Sequence, residues 1–141
     1  SEAARNSFDY VFTDAMTFLD HKGRRTHLWV NKEVIIDDEQ AYMDMMLDRI
    51  CSVLEEPVDM YVNSCFLPDA MSDRYDMFWT EERIDRFVNA LAKSGKALEI
   101  NELYHIPNKA IIQKAKAAGV KFTFGSNNIM PEEERSIIVS V

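Results

Sequence analysis

At 141 residues the chain has room for one domain of ordinary size with a sizeable core. Hydrophobic residues make up 47% and charged residues 28%, a balance too apolar for a disordered chain. A net charge of −8 and a pI near 4.8 argue against nucleic acid or an anionic membrane as partner, because both demand a basic surface.

No apolar run reaches membrane-spanning length and no signal peptide is visible, which favours a cytoplasmic location. The chain begins Ser1-Glu2 rather than with Met, so an upstream part is expected to be missing. Cys51 and Cys65 are too far apart for a Cys-x-x-Cys motif, which argues against a zinc ribbon or thioredoxin-type site.

In chain order, Phe8–Thr13 is a short β-forming apolar run and predicts a buried strand. The basic stretch His21-Lys22-Gly23-Arg24-Arg25 reads as a solvated turn between two strands. Thr26–Val30 and Glu33–Ile36 predict a short hairpin across Asn31-Lys32, inserted into the β/α rhythm. Asp37–Leu54 predicts a helix, with Asp37 as cap and Gln40 in capping-box position. Its stripe of Met43, Met46, Leu47, Ile50 and Leu54 is a core face. Val58–Asn63 is the next strand, followed by a long polar loop to Trp79.

Thr80 caps a second helix with the stripe Ile84, Phe87, Val88 and Leu91, and Gly95 suits its C-terminal stop. The strand Ala97–Asn101, a helix over Asn108–Ala118 that stops at Gly119, and the strand Lys121–Phe124 follow. The tail Pro131–Val141 has a helix-start signature, and its β-branched end is ambiguous. Strands alternating with helices predict a single α/β domain over 1–141 with a parallel sheet. The repeat of helix, glycine and strand at Gly95 and Gly119 is barrel-like.

Function in such sheets gathers where strands end. Glu99 alternates with Leu98 and Ile100, so it faces away from the apolar side. Glu99 and Asp14 are the candidate catalytic carboxylates. Asn63, Asn101, His105, Ser126, Asn127 and Asn128 are candidate ligand-binding groups at or just after strand ends. Each asparagine alone is also a common turn residue. His21 and His27 fall in the insertion, and Asp69 is a possible cation ligand or a turn. No phosphate-cradling glycine loop, dinucleotide fingerprint or Ser-His-Asp pattern is present.

The run Ala97-Leu98-Glu99-Ile100-Asn101, then Ala117-Ala118-Gly119-Val120, then Phe122-Thr123-Phe124-Gly125-Ser126-Asn127, resembles the C-terminal half of the PHP (polymerase and histidinol phosphatase) superfamily. Trp79-Thr80-Glu81-Glu82-Arg83 also fits. The resemblance implies part of a distorted, TIM-like (β/α)7 barrel of the amidohydrolase type, and a metal-dependent phosphoesterase. The family usually ends its last such strand Gly-Ser-Asp-x-His, and that Asp and His bind metal; the matching positions here are Asn127 and Ile129. The family's other strand-end histidines would fall near Asp14–Met16 and Asn63–Cys65, where the chain has none. An amide removes the charge that holds a divalent cation, and isoleucine cannot ligate. The resemblance therefore implies no metal in this segment and a small-molecule ligand. Zinc, manganese or iron becomes possible only if a preceding half completes the barrel. Open sheet edges imply association with that half or with a second copy.

Overall fold

The computed structural model describes residues 12–125 and the segment 137–139. The elements are β1 (Phe12–Thr13), β2 (Thr17–Leu19), β3 (Arg25–His27), a 3-10 turn at Asn31–Glu33, α1 (Glu39–Val53), β4 (Met60–Tyr61), α2 (Asp69–Ser72), α3 (Tyr75–Phe78), α4 (Glu81–Ser94), β5 (Ala97–Asn101), α5 (Lys109–Ala117), β6 (Phe122–Gly125) and β7 (Ile137–Val139). No helix among the described residues is long and apolar enough to cross a membrane.

β1, β4, β5 and β6 lie side by side in chain order, each parallel to the next. Met60 pairs with Ala97, Leu98 with Phe122, and Glu99 with Thr123. The wholly parallel sheet read from the sequence needs one correction. β7 pairs antiparallel with β6, Phe124 opposite Ile137, and occupies that outer edge. The ambiguous tail end is thus a strand. The helix start at Pro131 and most of Phe8–Thr13 lie outside the described residues.

The helices owe their limits to local chemistry. Thr80 Oγ1 accepts from the Arg83 N–H at 3.3 Å to open α4, and Gly95 closes it at φ 73°. Asn108 Oδ1 accepts from Ile111 N–H at 3.0 Å to open α5. α1 is capped by Asp38 instead of Asp37, one residue later than expected, because Asp38 Oδ1 reaches the Ala41 N–H at 3.0 Å.

The expected hairpin at 26–36 is also shifted. The ladder runs Thr17–Leu19 against Arg25–His27, and Glu33–Ile36 forms no strand. Asp20 decides this register: its Oδ1 accepts from Lys22 and Arg24 N–H groups, both at 2.9 Å, and its Oδ2 takes the Arg24 guanidinium at 2.7 Å. Gly23, at φ 75°, completes the turn. The basic stretch is therefore the strand-joining turn the sequence implies.

One face of the sheet is covered by helices. Tyr61, Leu98 and Phe122 from the strands join Met43, Leu47, Phe87, Leu91 and Ile111 from the helices in one buried cluster. The rings of Tyr61 and Phe87 lie 5.9 Å apart. By strand alternation, Met60, Ala97, Glu99, Asn101 and Thr123 face the other way, and all are buried. At the N-terminal end of β5, the buried Lys96 donates through Nζ to the Leu54 carbonyl at 2.7 Å and to that of Glu56. A cation there answers the carbonyls that α1 leaves unsatisfied.

Phe87→Ala should cost about 3–5 kcal/mol by urea denaturation, and Thr80→Ala about 1 kcal/mol. A Phe87→Ala cost below about 1 kcal/mol would mean that α4 does not pack on the sheet through that ring.

Candidate functional site

Each parallel strand delivers a group to one rim, the C-terminal edge of the sheet. Asp14 follows β1, Asn63 follows β4, Glu99 and Asn101 end β5, and Gly125 ends β6. Asn63 bridges two of them: its backbone N–H donates to Glu99 Oε1 at 2.9 Å, and its Nδ2 donates to Asp14 Oδ2 at 3.3 Å. Asp14 Oδ1 accepts from the Met16 N–H at 3.1 Å, which fixes the carboxylate on its own loop.

Glu99 is 7% exposed. Its carboxyl group lies against the backbone of β6. A Cβ on Gly125 would overlap Glu99 Oε2 and stand 2.9 Å from Glu99 Cδ. Glycine at 125 is what lets the carboxyl sit there. Burial pushes the Glu99 carboxyl above the usual glutamate range. The Asn63 N–H and the Asn101 amide pull it back, and the charge of Asp14 pushes it up again.

Two polar atoms on the same face lack partners. Asn101 Nδ2 and Thr123 Oγ1 are buried with no hydrogen-bond partner among the described residues. The Asn101 amide lies near enough to favour ionised Glu99, although not in a formed hydrogen bond. Its Oδ1 accepts from the Tyr104 N–H at 3.1 Å, so Asn101 shapes its turn as well. Orphaned buried groups are rare and cost about 1–3 kcal/mol each.

The rim also collects the strained backbone. Asn63, Cys65 and His105 have φ of 50°, 62° and 55°. Residues other than glycine seldom adopt this region, and such conformations gather at working sites.

Of the sequence candidates, Asp14, Asn63, Glu99 and Asn101 are brought together. His105 is not among them. It is exposed and lines a cleft of about 610 Å³ between the loops that follow β4 and β5. Ser126, Asn127 and Asn128 lie outside the described residues. Thr123 and Gly125 were missed as site residues. Thr123 is visible only through its register with Glu99, and Gly125 only through the space that Glu99 fills. No three His, Cys, Asp or Glu side chains converge as metal ligands among the described residues. The carboxylates available to a cation there are those of Asp14 and Glu99, and the amide groups beside them present N–H donors.

A larger cavity, about 780 Å³, lies at the opposite strand ends, beside Leu54, Pro57, Lys93 and Lys96. Its buried charge, Lys96, is engaged by helix carbonyls. Two of the buried unpartnered atoms, Asn101 Nδ2 and Thr123 Oγ1, lie at the rim beside the raised Glu99 carboxyl, and we place the candidate site there. No family model, curated protein or solved structure matches the chain.

A carboxyl that binds its proton more tightly when folded stabilises the fold fully below its unfolded pKa. That contribution is lost as pH rises through the folded pKa. Glu99→Gln keeps the acceptor for Asn63 and cannot ionise. Its melting temperature should exceed the parent's at neutral pH, and the gain should vanish on acidification below the ordinary glutamate pKa of about 4.3. Equal melting curves at both pH values would show that Glu99 is not desolvated. Gly125→Ala should cost about 1–3 kcal/mol through overpacking against the carboxyl.

Proposed function

We propose that the chain is a PHP-like β/α unit whose strand-end rim binds a small neutral, hydroxyl-rich ligand, with Glu99 as the group that holds and releases a proton. The scaffold supports the barrel part of this reading. Parallel strands that step across the sheet in chain order, with helices on one face, are the pattern of a barrel wall. Doubly wound sheets reverse direction and carry helices on both faces. The antiparallel β7 sits where a barrel's next strand would pair, so on this reading the unit is a modified wall closed differently at β6.

The observation that carries the ligand reading is the Glu99 constellation. Two neighbouring carboxylates repel a phosphate anion unless a cation intervenes. They accept well from hydroxyl groups. Asn101 Nδ2 and Thr123 Oγ1, buried and unpartnered, would complete such a ring of donors and acceptors. Burial raises the Glu99 pKa, so this carboxyl keeps its proton, and with it the ability to donate, to a higher pH than an exposed glutamate does.

The second reading is a metal-dependent phosphoesterase, with Asp14 and Glu99 as oxygen ligands for zinc, manganese or iron and the remaining ligands from a preceding half. What favours it is that one residue, Asn63, links the two carboxylates, its backbone N–H donating to Glu99 and its Nδ2 to Asp14. Titration followed by amide NMR separates the two. myo-Inositol or glucose should move the Asn63 and Thr123 amides saturably, and inorganic phosphate should not. Sub-micromolar zinc or manganese binding, or phosphate binding at these amides without polyol binding, would overturn the first reading in favour of the second.

The same scaffold reading predicts association through the β1 edge, beyond which no described strand pairs. Light scattering at high micromolar concentration should give a mass above the 16.3 kDa of one chain. A stable monomer with a cooperative melt would mean that the chain is a complete open-sheet domain.

A further inference from the structure

The cleft beside His105 adjoins the Glu99 cluster through the Tyr104 N–H, but none of Asp14, Asn63, Glu99, Asn101 or Thr123 lines it, so its chemistry does not rest on the reading of that cluster. Aromatic rings form part of the cleft wall. Trp29 comes from the insertion, Phe66 from the loop after β4, and Tyr104 from the loop after β5. Phe66 and Tyr104 meet edge to face, with centroids 5.5 Å apart. Trp29 and Tyr104 are 54% and 49% exposed, which is unusual for rings gathered around one hollow.

The same hollow holds two carboxylates, Asp69 and Asp76. Each is steadied by one amide: Asn31 Nδ2 donates to Asp69 Oδ2 at 3.0 Å, and Asn108 Nδ2 donates to Asp76 Oδ1 at 2.8 Å. Neither carboxylate forms an ion pair with a described residue. Two anionic groups held in place by neutral amides leave their charge uncompensated, in a chain that already carries −8.

Aromatic faces and carboxylates together select a cation that is large and weakly hydrated. The ring quadrupole attracts the charge, and the rings contact its alkyl groups. A small hard metal ion gains little from aromatic walls, and a neutral apolar ligand would desolvate the carboxylates without return. A volume of about 610 Å³ accommodates a compact organic molecule. We infer that the cleft formed by Trp29, Phe66, Tyr104, Asp69 and Asp76 binds a small organic ammonium cation.

The test uses choline and its uncharged carbon isostere, 3,3-dimethylbutan-1-ol, against the whole chain. Binding is followed at the Trp29 indole N–H and the Tyr104 amide. Trp79, only 2% exposed, is the internal reference. Choline should shift Trp29 and Tyr104 saturably, and the isostere should bind at least about tenfold more weakly. The double substitution Asp69→Asn, Asp76→Asn keeps an acceptor oxygen for each amide partner and should weaken choline by about tenfold. Trp29→Ala, at an exposed position, should weaken it similarly and guards against a folding defect in the double variant. Equal affinity for the isostere, no saturable shift at Trp29, or full choline affinity in both variants would overturn the inference.

Discussion

The desolvation of one carboxylate organises the C-terminal rim of the sheet. β5 carries Leu98 and Ile100 toward the helices and Glu99 toward the opposite face, so the strand that packs the core also buries an acid. Burying a carboxylate costs free energy unless it is paired or protonated. The fold answers with one backbone N–H from Asn63, a nearby amide from Asn101 and the absent side chain at Gly125. That is less compensation than a stable buried anion needs, and the raised pKa follows from the shortfall.

Placement at the rim follows from topology. Parallel strands that succeed one another across a sheet bring their C-terminal ends to one edge, so residues 14, 63, 99 and 125 become neighbours although distant in sequence. The loops leaving that edge carry the left-handed residues Asn63, Cys65 and His105. They also carry the aromatic and acidic groups of the adjoining cleft. The opposite edge is structural: Lys96 ties β5 to the end of α1, and Gly95 and Gly119 turn the chain back into the sheet. Division of labour between a stabilising end and a working end is characteristic of β/α architectures.

Much of the fold was legible in the sequence, for identifiable reasons. α4 and α5 are legible because each combines a cap, an apolar stripe and a stop glycine that agree with one another, and β5 because it follows directly on the first of those stops. The insertion is not legible in the same way, because Thr26–Val30 and Glu33–Ile36 have strand composition whereas the deciding interactions come from Asp20, a residue upstream of both runs. The short helices α2 and α3 were missed because four-residue turns show no periodicity. At the rim, Asp14, Asn63, Glu99 and Asn101 are legible from their positions at strand ends. Thr123 and Gly125 depend on register and close approach, which composition does not encode.

The most direct measurement is a carbon-detected NMR titration of the Glu99 side-chain carboxyl, with Asp14→Asn in parallel. A buried, undercompensated carboxyl beside Asp14 should titrate clearly above the ordinary glutamate value of about 4.3, and its midpoint should fall when the Asp14 charge is removed. A midpoint at or below that ordinary value, unmoved by Asp14→Asn, would contradict the account, because it would place Glu99 in solvent or in a fully compensated ion site.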